Sequence, residues 1–139
     1  MDGPAPGPAA GRTSIDMMLA HARAGLQRLG PAEAHEAMAK GAVLIDTRAE
    51  DLRRRDGWVP GSLSVPLSVL EWRLDPVSPH RDPALADPDL HVLVICAHGF
   101  SSSLAAARLQ QLGFARATDV IGGFEAWEQA GLPVEREAS

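Results

Sequence analysis

The sequence predicts an α/β domain built on a parallel sheet, and three observations carry that prediction. Two short apolar runs, residues 42–45 (Ala-Val-Leu-Ile) and 91–95 (His-Val-Leu-Val-Ile), show none of the polar alternation of a half-exposed strand and read as strands buried on both faces. Segments with helical spacing lie between and after these runs. Gly and Pro stand at the junctions, at Gly30-Pro31, Gly41, Pro60-Gly61, Gly113 and Gly131. The 139 residues suit one compact domain, since a domain takes about 150 residues, and no internal repeat is seen.

Each element follows from local chemistry. Residues 1–12, rich in Pro and Gly with nothing large and apolar after Met1, are expected to be a disordered tail. A helix over 13–26 is capped by Thr13 or Ser14 and repeats Ile15, Met18, Leu19, Ala22 and Leu26 on one face, with Asp16 in its first turn. The main domain is placed at 27–136. Pro31 opens a second helix that Gly41 stops, and the first strand ends in Asp46-Thr47-Arg48. Glu50–Arg55 makes a helical turn or two, Leu63-Ser64-Val65 a brief strand and Val69–Leu74 a brief helix. Residues 75–90, with four prolines and four aspartates, form a long irregular loop. The second buried strand ends at Cys96. Ser101–Leu112 is a helix capped by Ser101 or Ser102, Ala117–Ile121 a third strand, and Phe124–Ala130 a last helix.

Composition excludes several classes of function. Thirteen Lys and Arg against eighteen Asp and Glu leave a net charge of −5, which disfavours nucleic acid or an acidic membrane surface as partner. No apolar stretch reaches the roughly 20 residues that span a bilayer, and no targeting signal opens the chain, so a cytoplasmic location is expected. The five histidines lack a paired metal-ligand spacing, and no metal site is expected. One cysteine forbids an internal disulfide, so Cys96 is either a small core residue or a reactive thiol.

Its position argues for reactivity. Ligands collect at the carboxyl ends of strands in an open parallel sheet, where both Cys96 and Asp46-Thr47-Arg48 fall. Cys96-Ala97-His98-Gly99-Phe100-Ser101, followed by Ser102, joins a buried strand to a helix N-terminus, so successive backbone N–H groups can face whatever the sulfur carries. Gly99 allows the bend through a positive φ, and such surroundings lower a thiol pKa.

These residues resemble the rhodanese-like sulfurtransferase family, from about Leu26 to Val134. The loop is similar to the Cys-x-His-Gly-x-Ser loop of bacterial single-domain thiosulfate sulfurtransferases. Gly57-Trp58-Val59-Pro60-Gly61-Ser62 is similar to the family's Gly-x-Ile-Pro-Gly-Ala signature, and Ile45-Asp46-Thr47-Arg48 to its Asp-x-Arg strand end. Gly122-Gly123-Phe124 with Trp127, Gly131 and Pro133 is similar to its carboxyl-terminal signature. The resemblance implies one rhodanese-like domain with a doubly wound sheet of four or five strands. It also implies that Cys96 carries sulfane sulfur as a persulfide without a cofactor. The donor would be thiosulfate or a similar small molecule, and the acceptor a thiol, cyanide or a thioredoxin-like protein.

Many single-domain relatives carry Arg at the loop's second or sixth place, where this chain has Ala97 and Ser101. Ser101 is within the family's range, but a loop with no fixed cation is expected to bind dianionic thiosulfate weakly. A protonated His98, or Arg48, Arg54 or Arg73, is a candidate replacement cation. Asp46 is read as a buried orienter of the loop, Trp72 as a lining of the site mouth, Trp58 and Trp127 as core, and Arg53-Arg54-Arg55 as a solvated face. Two rivals stand beside this reading. Phosphatase or arsenate reductase chemistry needs Cys-x5-Arg, and Ser102 occupies that Arg position. A non-catalytic module using the same fold for protein contact or regulation is the other, because fold alone does not fix function.

Overall fold

The computed structural model describes residues 11–138. Most of the tail expected at residues 1–12 therefore lies outside the described residues. The elements run α1 (Ile15–Ala24), α2 (Pro31–Ala39), β1 (Val43–Asp46), α3 (Glu50–Asp56), β2 (Leu63–Ser64), a 3-10 turn (Leu67–Val69) leading into α4 (Leu70–Leu74), β3 (Val92–Ile95), α5 (Ser101–Gln111), β4 (Thr118–Asp119) and α6 (Gly123–Gln129). The four strands form one parallel sheet in the order β2-β1-β3-β4. β1 and β3 are its centre, paired from Val43 opposite Val92 to Asp46 opposite Ile95.

The two-residue period of the strands sorts the core onto the two faces. Ile45, Val92 and Val94 turn toward α4 and α5, where they meet Leu70, Leu74, Ala105, Ala106 and Leu109. Leu44, Leu93 and Ile95 turn the other way, onto Ala34 of α2 and Phe124 and Trp127 of α6. Helices thus cover both faces, and this is why the central strands carry no polar alternation. α1 packs on α5, outside the first layer. No helix among the described residues is long and apolar enough to cross a membrane.

Local chemistry sets the boundaries. Ser14 caps α1 by accepting from the Met17 N–H at 3.1 Å, and Glu33 accepts from the Gly30 N–H at 3.0 Å where α2 begins at Pro31. In the long loop, the carboxylates of Asp75, Asp82 and Asp87 each accept from the N–H two residues on, making local turns, while Leu85 anchors the segment in the core.

Four expectations are corrected. The third strand is shorter than 117–121: only Thr118–Asp119 pairs with β3 as strand, and Val120 makes an isolated bridge with Leu29. α1 stops at Ala24, with Leu26 in the following turn but still packed against the core. The Arg53-Arg54-Arg55 run is not wholly solvated, since Arg53 is buried with its Nε 3.1 Å from Asp46 Oδ2. Trp127 is core but Trp58 is only half-buried, beneath the Arg53 guanidinium.

The packing predicts that Leu109→Ala, which empties a fully buried position between α5 and the sheet, costs about 2–5 kcal/mol in denaturant unfolding. Trp72→Ala, at an exposed position, should change stability by less than about 0.5 kcal/mol.

Candidate active site

Cys96 follows the last residue of β3, at the carboxyl edge of the sheet, and only 6% of its surface is exposed. The chain then turns back through Ala97, His98, Gly99 and Phe100 and enters α5 at Ser101. The Gly99 N–H donates to Cys96 Sγ at 3.2 Å. Burial raises the pKa of the thiol, but hydrogen bonds from the Ser102 and Ser101 hydroxyls and the Ser102 and Gly99 N–H groups outweigh it, and the net shift is downward. The Ser102 hydroxyl has one proton and two acceptors, the sulfur and the Asp119 carboxylate at 2.7 Å, so its help to the sulfur grows as the thiolate forms.

Three carbonyls of the loop are held from outside. Cys96 O accepts from the Phe124 N–H at 2.8 Å and Ala97 O from the Glu125 N–H at 3.1 Å, both at the start of α6. Gly99 O accepts from Arg23 Nη2 at 2.7 Å and Arg28 Nη2 at 3.1 Å. In a trans peptide the N–H points opposite to its C=O, so the N–H groups of Ala97, His98 and Phe100 are directed away from these donors. Among the described residues, the Phe100 and Ser101 N–H groups have no protein acceptor.

This arrangement requires backbone against backbone. Gly99 has φ +85°, and a Cβ there would sit 2.7 Å from Gly122 N. A Cβ on Gly123 would sit 2.5 Å from Cys96 O. Gly99 and Gly123 are thus what let α6 reach the loop.

Two buried carboxylates flank the cysteine. At the end of β1, Asp46 is paired with Arg48 (2.8 Å) and Arg53 (3.1 Å), while Arg48 also donates to Gly57 O at 2.8 Å and lies 4.0 Å from the Phe124 ring centre. At the end of β4, Asp119 is paired with Arg28 (2.8 Å) and accepts from the Ser102 and Ser103 hydroxyls, both at 2.7 Å. Neither Ser101 nor Ser102 caps α5: Phe100 holds the N-cap position, its ring has no acceptor to offer, and the Ser102 and Ser103 hydroxyls are turned to the carboxylate.

The residues singled out in the sequence separate into two groups. Cys96, Ala97, His98, Gly99, Phe100, Ser101 and Ser102 are brought together at the loop, with Arg48 beside Ala97, His98 and Phe124 in an adjoining groove of about 360 Å³. Asp46 makes no hydrogen bond to residues 96–102; it pairs with Arg48, whose guanidinium lies over the Phe124 ring. His98 is turned outward, its Nδ1 2.6 Å from Glu125 Oε2. Arg54 pairs with Glu50, and Arg73 donates to His80 O. Trp72 lines a separate groove with Val77, Pro79 and Leu112. Asp119, Ser103, Arg23 and Arg28 escaped the sequence reading. For Asp119 a signal existed, its place at a strand's carboxyl end; for the arginines none did.

A family model described as rhodanese-like domain matches residues 30–130. The chain is 31% identical over 110 residues to a thiosulfate sulfurtransferase GlpE from Haemophilus influenzae, an alignment covering 78% of this chain and 94% of that protein. To the protein of that name from Actinobacillus succinogenes it is 51% identical over 49 residues, an alignment covering 35% of this chain and less than half (44%) of that protein. Among solved structures, a protein of unknown function from Rhodopseudomonas palustris, described as a possible tyrosine phosphatase, superposes with a TM-score of 0.83 at 35% identity, over 92% of this chain and 98% of that one.

The downward shift predicts that the alkylation rate of Cys96 rises with pH to a midpoint below that of a free thiol, and that Ser102→Ala moves the midpoint up. A thiol whose folded pKa is depressed stabilises the fold above its unfolded pKa and loses that contribution as pH falls through the folded value. Wild type should therefore gain stability relative to Cys96→Ser as pH rises across that window, in paired thermal melts. Gly99→Ala should strain the loop by about 1–3 kcal/mol and abolish the low midpoint, since its Cβ meets the Gly122 backbone.

Proposed function

The chain belongs to the rhodanese-like domain family, and on that premise we propose that it is a transferase that moves sulfane sulfur through a Cys96 persulfide. The observation that carries the reading is the cysteine itself: its pKa is lowered, and the loop around it presents N–H groups with no other acceptor.

In the first half-reaction the Cys96 thiolate attacks the outer sulfur of a donor. The donor's S–S bond breaks, and its electron pair leaves with sulfite, if the donor is thiosulfate, or with a thiolate, if it is a persulfide. The new terminal sulfur is anionic and sits where the Gly99, Phe100 and Ser101 N–H groups can donate to it, at the positive end of α5. In the second half-reaction a thiol, cyanide or a thioredoxin-like protein takes that sulfur and returns the thiolate. Neither step calls on a cofactor. A lone cysteine used this way suits a reducing compartment such as the cytoplasm.

Phosphatase chemistry lacks its arginine here. The sixth residue after the cysteine is Ser102, and Arg108 farther along α5 faces Glu71 at 3.6 Å. His98 does not replace a loop cation either, since its Nδ1 is turned outward onto Glu125 Oε2.

Incubation with thiosulfate or a small persulfide should raise the intact mass by one sulfur atom, reversibly with a reducing thiol. Cys96→Ser should gain nothing. A wild-type protein that never takes up sulfur from either donor would favour the protein-contact module instead. Ala97→Arg, which places a cation on the loop, should lower KM for thiosulfate by about tenfold, as expected for one charge-assisted hydrogen bond.

A further inference from the structure

Arg23 and Arg28 precede residue 30, where the family match begins, yet both end on the carbonyl of Gly99 in the middle of the cysteine loop. Resting on the sulfur-transfer reading, we propose that they are positioning residues that clamp this carbonyl outward and so hold the Phe100 N–H toward the sulfur, making α1 part of the active-site machinery.

The geometry leaves the peptide between Gly99 and Phe100 little alternative. Gly99, at φ +85°, has no side chain to fix its orientation, and the α6 N-terminus ties only the carbonyls of Cys96 and Ala97. Rotating the peptide would turn Gly99 O toward the sulfur, replacing a donor by an acceptor where negative charge collects. Two cationic donors on that oxygen oppose the rotation.

The donors are themselves fixed. Arg28 grips Asp119 through Nε (2.8 Å) and Nη2 (3.2 Å), and the carboxylate is buried under the Ser102 and Ser103 hydroxyls. Arg23 stands in the last turn of α1, which packs on α5, and its Nε donates to Ser103 Oγ at 3.0 Å. Its guanidinium lies 6.0 Å from the Phe100 ring centre and pairs with no carboxylate among the described residues. The other arginines about the loop are already paired, Arg28 with Asp119 and both Arg48 and Arg53 with Asp46, and Glu125 faces His98 Nδ1.

A purely structural role for Arg23 would alter stability but leave the sulfur's chemistry as it is. The test is therefore the pH profile of Cys96 alkylation, which reads the thiolate directly and needs no sulfur donor. Arg23→Gln should raise the midpoint by about one unit and lower kcat for sulfur transfer about tenfold, with KM for the donor changed less. Arg23→Lys, which restores one cationic donor to Gly99 O, should recover at least half of the shift. Lys40→Gln, removing an exposed charge paired with Glu36, is the control and should leave the midpoint in place. Arg28→Gln should act in the same direction as Arg23→Gln. An Arg23→Gln midpoint equal to wild type overturns the proposal. So does a shift that Arg23→Lys fails to reverse, which would assign the effect to α1 packing. Absence of sulfur uptake in the wild type would sink the transferase reading alone, because alkylation still reports the clamp.

Discussion

The site depends on where the carbonyl oxygens of residues 96, 97 and 99 point. A thiolate or persulfide needs donors, and a backbone loop offers donors only if its acceptors are satisfied elsewhere, since each peptide carries one of each. Here the α6 N-terminus takes the first two carbonyls and the two arginines take the third. The consequences reach through the fold. Bringing α6 within hydrogen-bond distance excludes side chains at Gly99 and Gly123, and Phe124 and Trp127 seat α6 on the face of the sheet opposite α5. The loop is thus held between two helices that belong to different cores.

What could be read from the sequence was whatever is specified within a few residues. Val-Leu-Val-Ile announces a strand covered on both faces, and that is how β3 lies. Cysteine at the strand end, a glycine three residues on and serines beyond specify a turn into a helix, and each of these features is local. The clamp is different in kind. Arg23 and Arg28 act across 76 and 71 residues, and nothing in the stretch around them distinguishes them from arginines on a wet helix face. The serines show the same limit: Ser102 and Ser103 sit in the first turn of a helix, where capping is the local expectation, and a buried carboxylate from β4 redirects them. Arg53 was hidden inside a run of three identical residues, where only the phase of α3 against Asp46 selects the one that turns inward.

The two buried carboxylates have parallel roles. Asp46 and Asp119 end the strands on either side of β3, so both stand beside the strand that delivers the cysteine. Each orients an arginine toward something the loop needs. From Asp46, Arg48 extends over the Phe124 ring and supports the start of α6; from Asp119, Arg28 extends to Gly99 O. Burying such charges is costly unless they are paired and fully hydrogen-bonded, and both carboxylates meet that condition. Replacing either pair by apolar residues could keep the fold, but it would remove the directional contacts that aim α6 and the loop.

On the proposed sulfur-transfer reading, the same placement bears on which donor the cup accepts. Arg48 and Arg53 share Asp46, and Arg23 and Arg28 stand beside Asp119, so each side of β3 holds two cations for one buried anion. These four guanidiniums stand about the end of β3, while the lowered pKa of Cys96 comes from hydrogen bonds to its sulfur. Yet the guanidiniums are committed to Asp46, Gly57 O, Asp119, Ser103 and Gly99 O. None is free to grip a sulfonate group as a loop arginine would. A cup without a bidentate arginine then suits a small, singly charged or neutral sulfane donor better than dianionic thiosulfate. In this chain the cations shape the cup from behind, leaving the exposed rim to Phe100 and the outward-turned His98 and Glu125.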